Sequence, residues 1–184
     1  MRKLKVFNQV SLDGYFCDAQ GDMSWAKHDD AEWQDFVKGN SGSGGELVFG
    51  RVTYEFMAGF WPTEFAAQQF PDTARGMNAA RKVVFSRTLK DATWKGTRLM
   101  RDAVEGMRAL KQEDGPELVV LGSGRLCAAL TEARLVDEYQ LVINPLVLGA
   151  GRTLFEGVSP LPLTLTKSRT FGNGAVVCWY APRR

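Results

Sequence analysis

Three short stretches carry the residues best suited to chemistry: "VFGRVTYE" (48–55), "VVFSRTL" (83–89) and "VVLGSGRL" (119–126). Each is an apolar run followed by Gly or Ser and then Arg. Where such a run is a buried strand, the small residue lets backbone N–H groups approach a ligand, and the guanidinium adds positive charge. Both favour an anionic phosphate. Three such junctions suit a pyrophosphate with one further phosphate, the pattern of NADP rather than NAD. A plainer reading stands beside it: each glycine serves a turn, and each arginine is a solvated charge.

Other chemistries find little support. "GSGRLC" has cysteine where a Rossmann fingerprint needs its third glycine, and it comes late in the chain. No Gly-Lys-Ser/Thr follows to make a Walker loop. His28 is the single histidine, and no serine sits in a nucleophile-elbow sequence, so a hydrolytic triad is not expected. His28 itself reads as a loop residue. Cys17, Cys127 and Cys178 are far apart and read as apolar fillers, with neither a disulfide framework nor a metal site expected. The net charge of +2 with scattered basic residues argues against nucleic acid or a membrane surface as partner. "MRKLKVFNQV" lacks the apolar stretch of a secretory signal, and a cytoplasmic protein is expected.

The elements that must position the junctions follow from pattern. With 184 residues, 45% hydrophobic, the chain is read as one domain spanning 1–184. "KLKVFNQV", "ELVF", "RKVVFS", "ELVVL" and "VDEYQLVINPLVL" read as strands, the last ending near Pro145. "HDDAEWQDFVKGN" reads as a helix, with Asp29 and Glu32 as a capping box and "SGSGG" as the loop behind it. "RVTYEFMAGF" reads as a helix stopped by "WP", and "TARGMNAA" as a weak one. Val104, Met107 and Leu110 mark one helical face, and Leu126, Ala129, Leu130 and Ala133 another. "LPLTLTKSRTF" and "AVVCWYA" form a hairpin across Gly-Asn-Gly. This alternation predicts an α/β fold: a mixed, mostly parallel central sheet flanked by helices, closed by an antiparallel C-terminal hairpin.

The ordered set "VSLDGYF", "LVFGRVTYEFM", "RKVVFSRTL", "ELVVLGSGRLCAAL" and "LVDEYQLVINPLVLGAGRTLF" resembles the dihydrofolate reductase-like superfamily. More closely it resembles the reductase (C-terminal) domain of the bacterial bifunctional riboflavin-biosynthesis deaminase–reductase. The resemblance covers nearly the whole chain and implies an NADPH-dependent reductase. It would place Gly50, Arg51 and Thr53 on cofactor phosphates, and Ser86 with Arg87 at the adenosine 2′-phosphate. Gly122, Ser123, Gly124, Arg125 and Leu126 would wrap the pyrophosphate. Ser11, Asp13 and Gly14 would line the nicotinamide and substrate region, with Asp13 a candidate catalytic group. The zinc deaminase half, with its His-x-Glu and Pro-Cys-x-x-Cys motifs, has no counterpart here.

"MSWAKHDDAEWQDF" aligns with the dihydrofolate reductase segment that holds the pterin-binding carboxylate. The likeness puts Asp30 at the carboxylate position and Trp25 at the tryptophan that holds an active-site water. Asp30 shares a helical face with Trp33 and Val37, so inward burial would raise its pKa and make it a proton relay. Capping and the helix dipole give an acid at that position a structural reason as well. Arg81 aligns with the arginine that binds the folate carboxylate. Trp25, Trp33, Trp61, Phe56, Phe60 and Phe65 are candidate lining for an aromatic substrate pocket, or core.

Three functions are carried forward. The first is NADPH-dependent reduction of a small heterocyclic or carbonyl substrate, as with 5-amino-6-(5-phosphoribosylamino)uracil in the family resembled. The second is dihydrofolate reduction, and the third a non-catalytic nucleotide-binding module. A homodimer is expected by resemblance, through an exposed strand near 139–143 or the terminal hairpin.

Overall fold

The computed structural model describes residues 1–41 and 44–183. In chain order it opens with β1 (Leu4–Ser11), β2 (Tyr15–Cys17), a 3-10 turn at Ser24–Ala26 and α1 (Ala31–Ser41). Next come β3 (Glu46–Gly50), α2 (Arg51–Phe60), α3 (Glu64–Gln69), α4 (Pro71–Ala79), β4 (Lys82–Phe85) and β5 (Thr97–Met100). Then follow α5 (Ala103–Gln112), β6 (Leu118–Leu121), α6 (Gly124–Glu132) and β7 (Glu138–Asn144). The chain closes with β8 (Arg152–Thr153), β9 (Leu163–Thr170) and β10 (Val176–Pro182). The expected loop "SGSGG" lies partly outside the described residues, at Gly42 and Ser43, as does Arg184.

The main sheet has eight strands in the order β5-β4-β3-β6-β1-β7-β10-β9. From β5 to β7 every neighbour is parallel; β10 then runs antiparallel to both β7 and β9. This is the expected mixed, mostly parallel sheet with its terminal hairpin. β2 and β8 form a separate two-stranded ribbon. β7 is an interior strand, which corrects the expectation of an exposed edge near 139–143; the two edges are β5 and β9. β5 escaped the sequence reading because "TRLM" is a half-exposed edge strand without an apolar run.

Side-chain alternation assigns the faces. Leu4, Val6 and Val10 of β1 point to one face with Val120, Met107, Leu110, Leu126 and Leu130, under α5 and α6. The other face carries two clusters. Phe49, Tyr54, Met77, Val84 and Trp94 lie under α2 and α4. Trp33, Val142, Phe171 and Val177 gather under α1, with Phe36 and Trp179. Between them Phe7 and Gln9 of β1, and Val119 and Leu121 of β6, are only half-buried. A shallow groove therefore runs over the middle of the sheet. Lys5 closes its N-terminal end, 2.8 Å from Glu117 and 3.5 Å from Glu138.

Candidate nucleotide and substrate site

β3 and β6 are adjacent and parallel, yet α2 leaves toward one face and α6 toward the other. Their C-terminal ends thus form a switch point, the usual ligand crevice of an open α/β sheet. Here Gly50 N–H donates to Ser123 Oγ at 2.9 Å, and Ser123 Oγ donates to Thr53 Oγ1 at 2.8 Å. Gly122 (φ 61°) and Ser123 (φ 64°) are both left-handed, which turns the chain sharply into α6. A Cβ on Gly122 would stand 3.0 Å from Thr53 and force its side chain to shift, so glycine suits the close approach of the two junctions. The site residues Gly50, Thr53, Gly122 and Ser123, drawn from separate stretches, are brought together.

Neither α2 nor α6 has a side-chain cap. Asp30, Thr63 and Asp102 do cap α1, α3 and α5. Among the described residues, the first-turn N–H groups of α2 and α6 therefore have no side-chain acceptor from the cap position, in a region of positive helix-dipole potential. Arg125 and Arg87 are exposed there and have no hydrogen bond or ion pair among the described residues. Arg51 pairs with Glu55 at 2.8 Å on the surface of α2. Leu126 belongs to the core, so only its backbone is available. Gly124 packs under the β2–β8 ribbon, where a Cβ would meet Phe16 at 2.7 Å.

Ser86 is buried, and its Oγ accepts from the N–H groups of Thr88 (3.2 Å) and Leu89 (2.9 Å). Arg101 Nη1 donates to the carbonyls of Ser86 (3.0 Å) and Leu89 (2.6 Å). Ser86 and Arg101 thus build the turn that presents Arg87. Arg101 was not anticipated, because it follows the unanticipated strand β5.

On the substrate side, Ser11 Oγ donates to Asp13 at 2.6 Å, and Asp13 also accepts from the N–H groups of Leu148 (3.1 Å) and Gly149 (2.8 Å). These donors, Ser11 foremost, bring the Asp13 carboxyl down to about 2. Asp13 brackets two loops and stays ionised. Gly14 is exposed in the same turn, with φ 88°.

Asp30 differs from expectation. It is neither buried nor raised in pKa: Trp33 N–H (2.9 Å) and Asn173 Nδ2 (2.7 Å) donate to its two oxygens and hold it below the usual carboxylate range. The cap of α1 is therefore Asp30 rather than an Asp29–Glu32 box, because Glu32 instead accepts from Gly172 N–H (3.1 Å) and Arg169 (2.9 Å). Trp33 is core, 4% exposed. Trp25 is half-buried in the 3-10 turn, donating to Asp22 O at 3.2 Å. Phe56 and Phe65 point to solvent, while Phe60 stacks with Trp61 at 5.0 Å, so these rings form no single pocket with Trp25 and Trp33. Arg81 precedes β4 and stands at the opposite end of the strands, 3.5 Å from Glu46.

The groove also holds residues that the sequence reading passed over. Asn144, 1% exposed, ends β7 in register with Ser11. It donates from Nδ2 to Val10 O (3.2 Å) and to Gln9 Oε1 (3.4 Å), and its Oδ1 lies 2.6 Å from His28 Nε2. Gln9 and Asn144 were discoverable as polar residues inside apolar strands. No group of three or more metal-ligating side chains occurs among the described residues, and none of their helices is long and apolar enough to cross a membrane.

Comparison with known proteins bears on the family and the fold. The chain is 28% identical over 185 residues to the uncharacterized Bacillus subtilis (strain 168) protein YyaP, covering 97% of this chain and 94% of that one. A structure from Shewanella sp. PV-4 named for riboflavin biosynthesis superposes with a TM-score of 0.72 at 21% identity, covering 99% of both chains. The Thermotoga maritima diaminohydroxyphosphoribosylaminopyrimidine deaminase/5-amino-6-(5-phosphoribosylamino)uracil reductase superposes with a TM-score of 0.68 at 14% identity. That match covers 99% of this chain and 57% of the bifunctional one, and the fold is that of such reductase-like proteins. The profile of the RibD C-terminal domain matches residues 2–177, and the chain belongs to the RibD C-terminal domain family.

Proposed function

We propose that this chain is an NADPH-dependent reductase of a small heterocyclic or carbonyl substrate, resembling the 5-amino-6-(5-phosphoribosylamino)uracil reductase of riboflavin biosynthesis. The observation that carries the reading is the pair of uncapped helix starts at the β3–β6 switch point, flanked by the unpaired Arg87 and Arg125. First-turn amides of α2 and α6 hold the pyrophosphate, and Arg87 meets the 2′-phosphate. Bound NADPH supplies the hydride equivalent. The protein supplies orientation, with Phe7, Val119 and Leu121 as an apolar floor for a flat ring. Asp30, spent as a cap and tied to Asn173, lacks the raised pKa that dihydrofolate reduction was expected to draw on.

A second copy would add at the β9 edge, since β7 is interior. Titration of NADPH and of NADH, followed by tryptophan quenching, tests the reading: binding of NADPH well below the NADH concentration is expected. Folded protein that binds neither would overturn it.

A further inference from the structure

Reduction of a C=O or C=N bond needs a proton on the heteroatom as well as a hydride on the carbon. Asp13 and Asp30 border the groove, but both are held ionised by their hydrogen-bond donors. Lys5, at the far end of the groove, is held as a cation by Glu117 and Glu138. At the C-terminal end the group left is His28, half-buried beside the groove's polar corner. Its partner defines its protonation. Asn144 Nδ2 directs its hydrogens at Val10 O and Gln9 Oε1, both acceptors, so Oδ1 is the atom facing the ring. A carboxamide oxygen only accepts; Nε2, 2.6 Å away, must carry a hydrogen. Trp33 packs edge-on against the ring at 4.8 Å and restrains its rotation. Nδ1 has no partner among the described residues.

We propose that His28, fixed by Asn144 as the Nε2–H tautomer, is the proton donor for reduction in this groove, with Nδ1 as the atom that gives the proton up. This rests on the reductase reading above. In the step, the Nδ1–H bond of the imidazolium breaks and its electron pair stays on nitrogen. A new O–H or N–H bond forms on the substrate, whose neighbouring carbon takes the hydride equivalent as the nicotinamide is oxidised. His28 is half-buried rather than sealed in the core, so its ring can regain the proton from water. Histidine is suited to this exchange near neutral pH. Among the described residues, Asp30 on the same segment is a charged group that acts on the ring; α1 contributes the uncharged Trp33 and β7 the uncharged Asn144, while Asn173 donates to Asp30 and accepts from Ala175 N–H. Asn144 is a positioning residue.

The single histidine makes the test direct. A two-bond 1H–15N correlation spectrum of labelled protein shows one imidazole, expected in the Nε2–H pattern at high pH. Asn144→Leu should convert it to a mixture of tautomers while the amide spectrum stays folded. Saturating NADPH should shift the ring's resonances. An Nδ1–H pattern in the native protein, or a ring indifferent to NADPH, would sink the proposal. With 5-amino-6-(5-phosphoribosylamino)uracil as the probe substrate, His28→Gln retains a donor for Asn144 but no titrating proton. Turnover should fall about 100-fold, with NADPH affinity unchanged. Full turnover in His28→Gln overturns the donor role alone, whereas native protein that binds no NADPH overturns the reductase reading itself.

Discussion

The two ends of the parallel strands are built on opposite electrostatic rules. At the N-terminal end the charges are answered within the chain. Arg2 and Glu46 pair at 2.6 Å with side chains 3% and 9% exposed. Lys111 pairs with Asp137 and donates to Leu135 O at 2.7 Å. Lys82 gives its three hydrogens to the carbonyls of Ala80 (2.6 Å), Asn78 (3.2 Å) and Lys95 (3.2 Å), 4.4 Å from the Trp94 ring, and burial brings it down to about 8. At the C-terminal end, two helix starts lack caps and two arginines lack partners among the described residues. Buried charge is tolerated only when paired, so the first end is structural. Donors left without a side-chain cap cost little until an anion arrives, so the second end is where binding is expected.

Four experiments break or sharpen this contrast. Glu46→Ala strands the buried Arg2 and should cost about 3–5 kcal/mol in urea unfolding, yet leave NADPH affinity of the folded fraction intact. A comparable loss of affinity would mean that the two ends are not separable. Arg87→Ala should do the reverse: NADPH weakens by about 1.5–3 kcal/mol, roughly 10- to 100-fold in Kd, while NADH binding and the unfolding midpoint hold. Equal losses for both nucleotides would remove the 2′-phosphate from Arg87.

Gly122→Ala should disturb both properties. Its left-handed backbone strains any side chain by about 1–2 kcal/mol, and displacement of Thr53 should weaken nucleotide binding about tenfold, near 1.4 kcal/mol. The smallest effect concerns Asp13, whose folded carboxyl titrates at about 2 against an ordinary 3.8. A depressed folded pKa stabilises the native state above pH 3.8 and ceases to as pH falls to about 2. Unfolding midpoints followed across that window should fall less steeply in Asp13→Asn, and an unchanged slope would show that the bracket carries no stability.

What the sequence disclosed was what is local. Gly50-Arg51 and Gly122-Ser123-Gly124 advertise strand-to-helix junctions, and Ser86-Arg87 a turn after a strand, because a sharp change of direction needs small residues at those positions. Two things stayed hidden for the same physical reason. Asp29 and Asp30 are equivalent as caps to a local reading, and the choice falls to Asp30 because Asn173, 143 positions away, binds its second oxygen. Likewise the burial expected of Asp30 from its helical face requires the rest of the fold to cover it, and the hairpin turn meets it with a donor instead. His28 looked idle because its partner lies 116 residues on.

The hairpin turn that meets α1 has a consequence for the order in which the molecule assembles. Asn173 to Asp30, Gly172 to Glu32 and Arg169 to Glu32 bind the segment after His28 with residues 137 to 143 positions later. Contacts of such separation close only after the intervening chain is largely organised. During synthesis the junctions at Gly50, Ser86 and Gly122 all emerge before β9 and β10, whereas the ties of Asp30 and Glu32 must wait for that hairpin. The sheet's switch point would thus be set before α1 is fastened to the far edge, and the α1 segment would be the last wall to lock on the way to the folded protein.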